Sequence, residues 1–192
     1  MKRTKIASAI ITVLLFTSFL YPQEIREEES LNYTYIGPSV SYAYNKAEYT
    51  DWFETSTETR SMSGSTLSGG ASINIFTDNL CGEFQFKYAY SKFDFILTNL
   101  DFSISGKYYY ALNSTVSIGA GPGLYFESPP SNRKHNGSAG LQIPVSLLLN
   151  TTADSKLFFD LFSRYGSFGI GENTKSISAG VNVGFIYKVG RI

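Results

Sequence analysis

Residues 82–90 read GEFQFKYAY, with Phe84, Phe86, Tyr88 and Tyr90 on even positions and Glu83, Gln85, Lys87 and Ala89 between them. Strict alternation of that kind makes a strand with one apolar and one polar face. The same pattern predicts eight strands, over 32–45, 65–77, 80–91, 96–107, 114–127, 138–150, 156–166 and 175–189. The mean strand in soluble proteins is ~5–6 residues long. These runs are roughly twice that, near the ~9–11 residues that a tilted strand needs to cross a bilayer.

One parity of these strands carries bulky apolar groups, among them Val40, Tyr42, Leu67, Ile73, Phe102, Ile104, Ile118, Leu124, Ile143, Val145, Phe159, Leu161, Val181 and Val183. No charge falls on it. The other parity carries Ser39, Ser41, Ser72, Asn74, Glu83, Lys87, Asp101, Ser103, Gln142, Asp160, Arg164 and Asn182, with Lys107 and Lys188 towards the strand ends. Volume decides which face points inward. An eight-stranded barrel has an interior just wide enough for its side chains. Serines, glycines and a few charges fit there, whereas the bulky groups fit outside. The aromatics of GEFQFKYAY should therefore meet lipid. A closed barrel pairs every backbone group, as a lipid environment requires.

The connections alternate in length. Residues 77–80, 108–113 and 151–155 are tight, while 46–64 and 128–137 are long and polar and 167–174 is intermediate; 92–95 is a short exception on the long-loop end. Short periplasmic turns and long outer loops are the pattern of outer-membrane barrels. Aromatics gather at both strand ends. Tyr33, Tyr35, Tyr108, Tyr109, Tyr110 and Tyr187 are expected at the periplasmic edge, and Tyr42, Tyr44, Tyr88, Tyr90, Phe95, Phe126 and Tyr165 at the outer edge. Amphipathic rings at two interfaces give such belts. Pro38, Pro122 and Pro144 lie inside the predicted strands. Proline donates no ladder hydrogen bond, so bulges or local breaks are expected there.

The N-terminus supports export. Lys2, Arg3 and Lys5 precede the uncharged apolar run Ile6–Leu20, and a polar stretch follows. A basic n-region with a short h-region is a secretory signal, expected to be cleaved near Gln23. The chain is thus expected to be all-β: an eight-stranded antiparallel up-and-down transmembrane β-barrel over 32–189, after a signal peptide over 1–23 and a short periplasmic segment over 24–31. The 192 residues carry no net formal charge, which removes the basic excess that a nucleic-acid partner would call for. A single cysteine, Cys81, excludes an internal disulfide and a cysteine metal site.

The stretches YIGPSVSYAY (35–44) and VSIGAGPGLYF (116–126) resemble strands of the small outer-membrane β-barrel family, the group around the OmpA membrane domain, OmpX and OmpW. The resemblance covers 32–189. It implies a monomer in the bacterial outer membrane, with membrane lipid and the barrel-assembly machinery as partners. In the last strand Asn182, Gly184, Tyr187 and Val189 are similar to the signal by which that machinery recognises a final strand. Bacterial members usually end on an aromatic residue, whereas this chain runs through Gly190 and Arg191 to Ile192.

Other chemistry is sparse. Gly119, Gly121 and Gly123 sit in an alternating strand and lack the helix that a dinucleotide fingerprint needs, so they read as glycines making room for larger neighbours. Glu83, Lys87, Asp101, Asp160 and Arg164 form a candidate lumen charge network, with at least one carboxylate expected to pair with Lys87 or Arg164. Cys81 has lumen parity and is expected to be buried. The one histidine, His135, lies in a polar loop near Ser131, Ser138 and Glu127. Small barrels that modify lipid A use a histidine with serine and an acidic residue, but a general base needs a positioned partner, and sequence proximity supplies none. The expectation is a barrel with no catalytic site, metal or cofactor. Its role would be structural, or contact through the outer loops with a ligand or host protein outside the cell. The alternatives are a narrow pore for ions or small solutes and, more remotely, a lipid-modifying enzyme using His135.

Overall fold

The computed structural model describes residues 32–53, 56–93, 96–128, 138–167 and 175–191. The segments 1–23 and 24–31, Phe95, Ser131 and His135 lie outside the described residues. The strands are β1 (Tyr33–Phe53), β2 (Ser56–Thr77), β3 (Leu80–Lys92), β4 (Ile96–Ala111), β5 (Val116–Ala120), β6 (Gly123–Glu127), β7 (Ser138–Thr152), β8 (Ser155–Ser167) and β9 (Lys175–Arg191). All pairings are antiparallel between neighbours, with β5 and β6 sharing one stave between β4 and β7. β1 pairs with both β2 and β9, and β3 with both β2 and β4, so the ring closes. The result is an eight-stave up-and-down barrel. Closure leaves no free sheet edge within the barrel wall.

The start of β1 at Tyr33 and the end of β9 at Arg191 both lie at the end of the barrel that carries the tight connections, here called the turn end; the opposite end is the loop end. At the turn end Asp78 takes φ 52° in the connection between β2 and β3. A short polar side chain tolerates this left-handed conformation better than a β-branched one.

The alternation resolves as an inside-out barrel. On β3, Phe84 and Phe86 are 44% and 48% exposed, whereas Glu83 and Lys87, which flank them, are each 2% exposed. The exposed set continues around the ring with Val40, Tyr42, Leu67, Phe102, Ile104, Ile143, Val145, Leu161 and Val181. Adjacent lipid-side rings pack edge-to-face, as in Phe86 with Phe102, whose centroids lie 4.8 Å apart. Polar residues fill the interior, including Ser41, Ser72, Gln85, Ser103, Ser105, Ser146 and Asn182.

Two expectations need correction and a third, the bulges or breaks at the prolines, is met only in part. The 46–64 segment is not a loop. β1 and β2 stay paired out to Phe53↔Ser56, while pairing of β1 with β9 stops at Glu48↔Lys175 and that of β2 with β3 at Ser65↔Lys92. A two-stranded ribbon therefore projects beyond the wall at the loop end. The bulges do not fall at the prolines. Register shifts occur at Thr34/Tyr35 and at Asn150/Thr152, both at the turn end. Pro144 faces Phe162 in an unbroken register. Pro122 does break its stave into β5 and β6, but Ala120↔Val145 and Gly123↔Gln142 keep one register across the gap. Gly106 N–H donates to the Pro122 carbonyl at 3.0 Å and so carries the ladder past it. Tyr35 and Tyr109, finally, are not interfacial: both point inward and are buried.

Candidate functional site

The interior is layered from the turn end to the loop end. Tyr35, Cys81, Tyr109, Leu148, Phe158 and Ile186 form a buried apolar layer, flanked by Tyr33 and Phe76. All of the six but Tyr35 sit on the same parity as a polar or charged residue two positions along the strand, for example Phe158 with Asp160 and Tyr109 with Lys107. Glycines on neighbouring strands make the room. A Cβ at Gly184 would meet the Phe158 ring, and one at Gly119 would lie 2.6 Å from Tyr109 Cδ1. The wall must therefore lack a side chain where each ring enters.

Above this layer lies Lys107, only 1% exposed and the hub of the lumen. Its Nζ lies 2.7 Å from Glu83 Oε2 and 3.1 Å from Asp160 Oδ1. The Asp160 contact reaches from β4 to β8, past the β5/β6 stave and β7 along the ring. Both carboxylates are further satisfied. Ser105 Oγ donates to Glu83 Oε2 at 3.2 Å, Ser146 Oγ to Asp160 Oδ1 at 2.5 Å, and Asn182 Nδ2 to Asp160 Oδ2 at 3.0 Å. Interior charges are tolerable only with such partners.

Lys87 stands opposite Asp101 in the β3–β4 register, but its ammonium turns elsewhere. It donates to Asn182 Oδ1 at 2.8 Å and to Ser41 Oγ at 3.3 Å. Asn182 thus links Lys87 to Asp160. Towards the loop end, Arg164 Nη1 pairs with Asp101 Oδ2 at 3.0 Å and Glu127 Oε1 at 3.5 Å, while its Nε donates to Gln142 Oε1 at 3.2 Å. The guanidinium also lies 4.8 Å from the Tyr125 ring centroid, a cation–π distance.

Of the five charges singled out from sequence, Glu83 and Asp160 meet through Lys107, Asp101 and Arg164 meet directly, and Lys87 reaches Asp160 only by way of Asn182. Lys107 and Glu127 were not among the five. Parity marks both as inward-facing, but alternation gives no measure of which inward residues share a height in the barrel. Of the four residues expected to form an assembly signal, Asn182 is buried in this network and Gly184 lies beneath Phe158, while Tyr187 and Val189 face outward. Among the described residues, a cavity opens at each end of the lumen. A cavity of about 760 Å³ opens at the turn end, and one of about 20 Å³ lies near Tyr125 and Ser176. Among the described residues no group of three or more His, Cys, Asp and Glu side chains is placed to hold a metal ion.

No protein-family model and no curated protein matches the chain. Solved structures do. Neisserial surface protein A aligns over 81% of this chain and 97% of its own, at 19% identity and a TM-score of 0.51. The N-terminal β-barrel domain of Pseudomonas aeruginosa OprF covers 77% and 98%, at 14% identity and a TM-score of 0.42. Ail, the attachment invasion locus protein of Yersinia pestis, covers 81% and 99%, at 16% identity and a TM-score of 0.37. At these identities the likeness is one of fold, and with the first of them it is a likeness to a small outer-membrane β-barrel.

Proposed function

We propose that this chain is a non-enzymatic barrel of the bacterial outer membrane, closed through its lumen, with a structural role and a contact surface at its loop end. One observation carries the closed-lumen reading: Lys107 joins Glu83 and Asp160 across the interior, with every partner buried. Arg164 with Asp101 and Glu127 adds a second cross-lumen tie. Moving an ion through would break these contacts in a space already filled by side chains.

The tight-turn end faces the periplasm in this reading, and the β1–β2 ribbon stands outside, where it would meet a ligand or protein. Lipid surrounds the exposed apolar belt. The barrel acts as a monomer, since its staves are paired on both sides and its outer face already has lipid as a partner. Asn182, Gly184, Tyr187 and Val189 serve the assembly machinery before folding, and two of them then seat the lumen contacts.

Planar-bilayer recording on the refolded protein tests the closed lumen. The expected trace is flat, without steady steps, at moderate salt and voltage. Steady single-channel steps from the unsubstituted chain would replace this reading with that of a narrow pore.

A further inference from the structure

The outward face of the barrel is not evenly filled. Ala71, Phe86, Phe102 and Phe126 lie in one cross-strand row over β2, β3, β4 and β6. Ile73, Phe84 and Ile104 lie in the next outward row towards the turn end. A groove of about 250 Å³ opens among these side chains. Its lining also includes Gln85 and Ser103, whose side chains are buried in the lumen, so the main chain of β3 and β4 forms the floor. Ala71 contributes only a methyl group beside the Phe86 position, which leaves room that a larger residue would take. The Phe86 and Phe102 rings, edge-to-face with centroids 4.8 Å apart, brace each other within the lining.

We propose that this groove is a fixed seat for one lipid acyl chain, a claim that rests on the reading that the exposed apolar belt meets lipid. Two features favour that occupant. The groove is continuous with the belt: Val40, Leu67 and Leu124 around it are exposed and apolar, and every side chain that opens into it is apolar. It is also small. Nine residues line it, whereas a stable protein partner typically engages ~20–30 residues a side. An acyl chain in the groove touches protein on several sides, but on the even wall it touches protein on one. Each added contact is weak, yet together they favour the groove, and an empty groove would forfeit them. The seat therefore holds its lipid longer than the rest of the wall does.

Electron spin resonance tests this on the refolded protein in phosphatidylcholine vesicles, with a trace of phosphatidylcholine spin-labelled on its acyl chain. Beside the boundary lipid common to the whole wall, a slower component is expected, amounting to one lipid per barrel. Ala71→Phe fills the groove and should abolish the slower component. Leu161→Phe should keep it, because Leu161 is exposed on β8, four staves from β3 in either direction around the ring. Ala71→Leu serves as the filler if the phenylalanine variant fails to fold. A boundary component with no slower one, or a slower one that survives filling, overturns the seat and leaves the lipid-facing belt standing. Loss of the boundary component itself would overturn the belt reading as well. Sedimentation showing a dimer that Ala71→Phe dissociates would also overturn the seat, since the groove would then join two copies of this protein.

Discussion

Lys107→Met is expected to be the most damaging single neutralisation in the barrel. Methionine keeps much of the length and apolar stem but removes the ammonium that Glu83 and Asp160 share. Two buried carboxylates are then left facing each other without their cation. Breaking a buried pair by removing one partner typically costs ~3–5 kcal/mol, and here a single substitution breaks two. Chemical unfolding of the refolded protein in lipid vesicles reads the loss. The triple variant Lys107→Met/Glu83→Gln/Asp160→Asn should recover most of it, because a neutral interior needs no counter-charge and Ser105, Ser146 and Asn182 can still bond the amides. A triple variant no better than the single one would show that the lysine acts by packing, over the Phe158 ring 5.9 Å away.

The second large effect is expected on the opposite face. Phe86 lies mid-strand on β3, half exposed on the lipid side, with its ring against Phe102. Phe86→Arg should cost ~2–4 kcal/mol in a bilayer, the usual penalty for a cation near the midplane on a barrel exterior. Phe86→Leu should cost far less, since it stays apolar and loses mainly the ring pair. The contrast between the two, measured by unfolding from vesicles, isolates the desolvated charge from the lost packing. Equal losses would mean that position 86 does not see hydrocarbon.

Alternation made the architecture readable. A period of two fixes which residues share a face, and the absence of charge from one parity then fixes which face meets lipid. The inward parity of Glu83, Lys87, Asp101, Asp160 and Arg164 followed from the same pattern. What alternation lacks is height. Which inward groups touch depends on strand tilt and stagger, so Lys107 was visible as a strand-end lysine and invisible as the hub. Lys87 is the converse case. Its simple cross-strand partner is Asp101, but its long stem spans the narrow lumen to Asn182, three staves away. Tyr35 and Tyr109 misled because aromatic abundance at strand ends suggests a belt, while their own parity, shared with Ser39 and Lys107, points inward. The β1–β2 ribbon was obscured because 46–64 is polar and carries no strict alternation from which a strand could be read.

All of this rests on the barrel being turned inside out, polar within and apolar towards lipid. Quenching by lipids brominated along their acyl chains tests that most directly, with an environment-sensitive fluorophore placed by cysteine at position 85 or 86 in a Cys81→Ser background. Strong quenching is expected at Phe86 and little at Gln85, which lies beside it on the same strand and is buried in the lumen. The reverse pattern, strong at 85 and weak at 86, would contradict the account.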